Sequence, residues 1–147
     1  MTADGPKPIE RVAPGDRCWA LDVASGKWQL RPVVETYNLD YLGELVEIRC
    51  GGDVVQATYH HPFWVVEGED LDARPEPDHL NAANAPGLAF SGRWVDAGEL
   101  CEGDVLFGLP DRRLRVESLR TRSESVTVYN FQVAEHWPAI ENLVQVL

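Results

Sequence analysis

The chain has 147 residues, enough for one domain and too few for two ordinary ones. Apolar residues make up 44%, so a core can be buried and disorder is excluded by composition. Thirteen Lys and Arg against 24 Asp and Glu give a net charge of -11, which argues against nucleic acid and against an anionic membrane surface, since both need clustered cations. No apolar run approaches the roughly 18 residues that span a bilayer. Met1-Thr2-Ala3-Asp4-Gly5 leads straight into polar turn chemistry, so no signal peptide is expected. The chain itself is expected to be cytoplasmic, although a longer parent could be exported.

In chain order, Trp19-Ala20-Leu21 and Trp28-Gln29-Leu30 flank Ala24-Ser25-Gly26-Lys27 and read as a hairpin. Val46, Ile48 and Cys50 alternate with Glu47 and Arg49, the period of a half-buried strand. Gly51-Gly52-Asp53 turns the chain, and Val54 to Thr58 returns as the second arm. Residues 67–92 break this rhythm with Pro75, Pro77, Pro86 and several acids, and read as an irregular loop insertion. Asp96 as N-cap, Glu99 three residues on and Gly103 as terminator predict one short helical turn. Leu114-Arg115-Val116 is a short strand, Val126 to Val133 a strand dense in β-branched and aromatic residues, and Leu143 to Leu147 a candidate last strand. The sum is an all-β single domain over residues 1–147 with short helical turns only.

A pattern recurs within the chain. Val12-x-x-Gly15-Asp16 returns as Leu100-x-x-Gly103-Asp104, each preceded by an acid (Glu10, Glu99) and followed by an apolar strand. Each is later followed by a Val-Glu pair, Val34-Glu35 and Val116-Glu117. Gly-Asp starts a strand sharply. Two such units predict two similar β halves.

The three cysteines, Cys18, Cys50 and Cys101, are widely spaced without a C-x-x-C, so each reads as a small buried hydrophobe. His60, His61 and His79 with Asp70, Asp72 or Asp78 fit no standard zinc spacing, and neither metal nor cofactor is expected. Trp19, Trp28, Trp64 and Trp94 read as packing residues rather than ligand stackers.

The most informative segment is Thr58-Tyr59-His60-His61-Pro62-Phe63-Trp64. A hydroxyl and an imidazole stand three residues apart at a strand end, and Pro62 keeps His61 out of a helix. Taken alone, His61 reads first as a structural histidine bonding a backbone carbonyl. The second reading is chemical: together the two groups can hold and protonate a peptide nitrogen, and imidazole titrates near neutrality.

Set in context, the sequence resembles the Hint family, the hedgehog/intein autoprocessing fold, and within it the Hint domains of bacterial polymorphic toxins. Thr2 to Glu10 resembles the family's T-x-D-G-x-x-P-I-E opening, continued by Val12 to Arg17. Thr58, His61, Pro62, Phe63 and Trp64 match its T-x-x-H-P-F-W block. Gly92-Arg93-Trp94-Val95, Ala97-Gly98-Glu99-Leu100 and Gly103-Asp104 match a third block, and Val128-Tyr129-Asn130-Phe131 with His136 a last one. The resemblance implies a β-disc with halves related by a pseudo-twofold. It also implies intramolecular chemistry, in which an N-terminal Cys attacks the preceding carbonyl, the T-x-x-H block protonates the scissile nitrogen, and a terminal His-Asn pair cleaves the other junction by Asn cyclisation. The site residues it implies are Thr58, His61, Asn130 and His136.

Two family features have no counterpart in the sequence. No Cys segment precedes Thr2, and Gln145-Val146-Leu147 stands where the family has His-Asn. The expected partner is therefore a flanking polypeptide of a larger precursor, or another protein. The expected function is that of an autoprocessing scaffold, inactive as this chain. The alternative is a degenerate Hint domain acting as a spacer or protein-binding module.

Overall fold

The computed structural model describes residues 1–22, 25–80, 91–108 and 114–134. They form seven strands and three single 3-10 turns. Contacts divide the chain into two compact units. One is built on Met1–Tyr41 and the stretch from Val126; the other is built on Leu42–Leu80 and the stretch ending at Ser125. Two long strands, β2 (Lys27–Cys50) and β7 (Leu114–Val133), contribute to both.

In the first unit, β1 (Arg17–Asp22) pairs antiparallel with the start of β2, from Arg17 opposite Pro32 to Asp22 opposite Lys27. This is the expected 19–30 hairpin. The N-terminal segment runs on the other side of β1, through a bridge between Thr2 and Cys18 and a bond from Ala3 N–H to the Arg17 carbonyl at 2.8 Å. The end of β7 lies beside β2, where the Ala134 N–H donates to the Pro32 carbonyl at 2.7 Å. Inward residues of three strands, Cys18, Val33 and Phe131, make the small core, with Ile9, Val12 and Val133 packed around it.

In the second unit, the end of β2 pairs with β3 (Asp53–Thr58), Leu45 opposite Thr58 and Cys50 opposite Asp53. The expected alternation holds, with Val46, Ile48 and Cys50 all buried. Strand β4 (Pro62–Glu67) pairs with β5 (Arg93–Asp96) on one side and with β6 (Val105–Leu106) on the other. Strand β6 pairs in turn with the start of β7. Phe63, Val65, Val95, Leu106, Leu114 and Val116 fill the larger core with the β2 residues.

Four expectations need correction. Leu114–Val116 and Val126–Val133 are not separate strands but the two ends of one continuous β7. The helical turn at Asp96 is a single 3-10 turn, Ala97–Glu99, which the Asp96 side chain does not cap. Cys101 is exposed, unlike buried Cys18 and Cys50, because it opens a tight turn and its backbone N–H is bonded there. The repeat is also one residue out of register. Val33, not Val34, corresponds to Val116.

That correspondence is carried by hydrogen bonds. Gly15 N–H donates to the Val33 carbonyl at 2.8 Å, and Val33 N–H donates to the Asp16 carbonyl at 2.7 Å. Gly103 and Val116 make the same pair with Asp104, both at 2.8 Å. Asp16 Oδ2 accepts from Ala13 N–H at 2.9 Å, and Asp104 Oδ2 accepts from Cys101 N–H at 2.8 Å. Each carboxylate also takes a cation, Lys7 for Asp16 and Arg74 for Asp104. Each motif is preceded by a 3-10 turn, Ile9–Arg11 or Ala97–Glu99. The candidate strand at Leu143 to Leu147 lies outside the described residues.

Candidate functional site

Thr58 ends β3, and four residues later β4 begins at Pro62. Between them the chain makes a tight bend, closed by the His61 N–H donating to the Thr58 carbonyl at 2.9 Å. Pro62 disfavours helical backbone at His61, and the chain leaves the bend as strand β4. The bend thus fixes Thr58 and His61 at its two ends.

The bend is clamped by the residues of the A-G-E-L block. Ala97 N–H donates to the His61 carbonyl and Gly98 N–H to the Tyr59 carbonyl, both at 2.9 Å. The Tyr59 hydroxyl donates to Glu99 Oε1 at 2.7 Å, and that bond holds the phenol above its ordinary pKa. Gly98 is required by space rather than by backbone angle: a methyl group there would overlap the Tyr59 ring. Two sequence blocks separated by more than thirty residues therefore form one structure around His61.

The His61 ring packs edge-on to Phe63, with centroids 5.3 Å apart. Burial pushes its pKa below the ordinary 6.5; the Asp96 carboxylate opposes this and His79 adds to it. At neutral pH the imidazole is uncharged. It can take a proton on one ring nitrogen and hold a hydrogen on the other.

Asn130 lies on β7 in the first unit, and its side-chain oxygen accepts from the Phe131 N–H at 2.8 Å. Thr58 and His61 belong to the second unit. His136 lies outside the described residues. The three cysteines include no exposed thiol on the bend. Cys18 and Cys50 are buried, and burial raises the Cys18 thiol pKa, the reverse of what a nucleophile needs.

One grouping at the bend was not legible from sequence. His60 Nδ1 lies 3.0 Å from Asp96 Oδ2, and His79 Nε2 lies 3.8 Å from Asp96 Oδ1. The sequence pattern groups Asp96 with neither histidine, since it reads there as a helix cap.

The pretoxin Hint domain model matches residues 1–84, more than half of the chain. This chain belongs to the pretoxin Hint family. Solved structures agree on the fold. A bacterial intein-like domain from Clostridium thermocellum is 28% identical, with a TM-score of 0.67 over 92% of this chain and 81% of that one. The PabCDC21-1 intein is 19% identical, with a TM-score of 0.57 over 84% of this chain and 67% of the intein. The TvoVMA intein is 17% identical, with a TM-score of 0.58 over 84% of this chain and 62% of the intein. No curated protein sequence matches. The Hint assignment explains why T-x-x-H and A-G-E-L occur together: in this Hint domain the second clamps the first.

Proposed function

We propose that this Hint domain is an autoprocessing scaffold, holding Thr58 and His61 against a peptide bond of a polypeptide joined to it. The observation that carries this reading is the clamped bend, which fixes a half-buried imidazole of lowered pKa in place. A rigidly placed group matters because misplacement by about 1 Å can cost on the order of a hundredfold in rate. His61 would accept the proton of an attacking thiol. The sulfur would add to the carbonyl carbon, and the imidazolium would return the proton to the amide nitrogen as the C–N bond breaks, leaving a thioester.

The register of the first unit supports a place for that polypeptide. Trp19 N–H donates to the Met1 carbonyl at 3.1 Å, as Phe107 N–H donates to the Trp64 carbonyl at 2.9 Å. Thr2 faces Cys18 as Val65 faces Leu106. Met1 thus holds the position of Trp64 on β4, and residues joined ahead of it would continue as a strand along β1.

Residues 1–147 alone should not cleave themselves, because none of their described thiols is placed for attack. The test is a fusion in which a partner protein and a family-like segment with a leading Cys precede Thr2. Excess thiol should release the partner, and His61→Ala should slow release by roughly a hundredfold or more, as for loss of a positioned acid. A folded fusion that stays intact in thiol overturns the reading and favours a non-catalytic spacer or protein-binding module.

A further inference from the structure

We propose that His60, His79 and Asp96 form a binding site for a divalent transition metal of the zinc class. This inference is independent of the autoprocessing reading. The three residues come from separate segments: the bend after β3, the loop insertion and the end of β5. One ligand atom from each lies within 4.8 Å of the others. Around a tetrahedral zinc with bonds of 2.0–2.1 Å, ligand atoms stand about 3.3 Å apart. His60 Nδ1 stands 3.0 Å from Asp96 Oδ2 and His79 Nε2 stands 3.8 Å from Asp96 Oδ1, so each imidazole lies near that spacing from one oxygen of the carboxylate. The His60 and His79 rings, with centroids 6.0 Å apart, are the more exposed partners and can rotate to close the rest.

Asp96 gives the second, independent indication. Its side chain is only 10% exposed. One carboxylate oxygen is satisfied by His60, but Oδ1 is buried with no hydrogen-bond partner among the described residues. His79 Nε2 is too far from it for a hydrogen bond. A buried carboxylate oxygen without a donor is costly, and a cation is the group that removes that cost. Exposed acidic clusters lack this feature.

The donor set selects the metal. Two imidazoles and one carboxylate suit zinc and its neighbours, whereas magnesium and calcium prefer an all-oxygen shell. The exposed imidazoles leave a route for the ion and a fourth position for water. A bound ion would pin the loop insertion to the residue next to His61.

Calorimetric titration of the EDTA-treated full chain with Zn2+ tests this directly. We expect one ion per chain and none with Mg2+. At free zinc about 100 times Kd, Tm should rise by roughly 5–10 °C. His79→Ala and Asp96→Asn should each weaken binding by more than about a hundredfold, beyond the 10- to 100-fold lost with a group merely supporting a ligand. Both should abolish the Tm rise. Absence of one-to-one zinc binding overturns the site, as does binding that survives both substitutions. If Asp96→Asn fails to fold, His79→Ala decides alone, because His79 lies at the surface.

Discussion

Arg74 and Asp104 meet as a two-armed ion pair, Nη1 to Oδ2 at 2.5 Å and Nη2 to Oδ1 at 2.8 Å. Their side chains are 10% and 1% exposed. The carboxylate also accepts the Cys101 N–H, and the guanidinium also donates to the Glu69 carbonyl at 2.7 Å. Gly68 lies so close that a methyl group there would overlap the carboxylate. The loop insertion therefore supplies the cation for a buried charge at the second Gly-Asp turn.

Removing that cation leaves the buried Asp104 carboxylate without its ion-pair partner. Arg74→Ala should destabilise the protein by about 3–5 kcal/mol, the cost of breaking a buried pair from one side. Replacing residues 69–91 by a three-residue link should cost a similar amount. Chemical denaturation measures both. A truncated chain as stable as the full one would show that Asp104 finds water or another donor.

The parts of this arrangement that were legible in the sequence are those with a local period. Val46, Ile48 and Cys50 alternate, so β2 and its hairpin were visible. The Gly-Asp turns were visible because Gly15 and Gly103 both adopt positive φ, which glycine tolerates. The polar middle of β7 hid its continuity, since exposed residues such as Arg120 and Ser123 carry no strand pattern. Arg74 with Asp104, and Asp96 with His60 and His79, were hidden for a different reason. They join residues 17 to 36 positions apart, and no spacing rule connects them. The Thr58 and His61 motif was legible as a block, but its clamp by Gly98 and Glu99 needed coordinates.

Gly15 and Gly103 give a test of the repeat itself. Their φ values are +96° and +93°, and among the described residues beyond the chain neighbours neither has an atom within 4 Å of where a Cβ would stand. Alanine at either site thus meets backbone strain and no clash. Each substitution should cost about 1–3 kcal/mol, and the two losses should agree closely. Unequal losses from denaturant titration would mean that the turns differ energetically despite their shared bonds.

Gly98→Ala acts by contact instead. The added methyl must displace the Tyr59 ring, which Glu99 and the bend backbone hold in place. The expected cost is about 1–3 kcal/mol, as for overpacking. In a Tyr59→Ala background the same substitution should cost much less, because the ring is gone. An additive double-mutant cycle would show that Gly98 serves another need.

His61 predicts a pH dependence with a definite sign. Burial holds its folded pKa below the ordinary 6.5. Between the two values the unfolded chain binds more protons than the folded one, so stability rises with pH there. The neutral ring carries no such penalty above about 6.5, and stability is lost as pH falls through that value toward the folded pKa. Calorimetry in EDTA from pH 7.5 to 5 should show a steeper fall in Tm for the unmodified chain than for His61→Gln. Glutamine keeps a polar side chain of related size but cannot take up a proton. Parallel Tm profiles would mean that His61 reaches solvent on protonation, and a ring so placed could not shield a proton transfer from water.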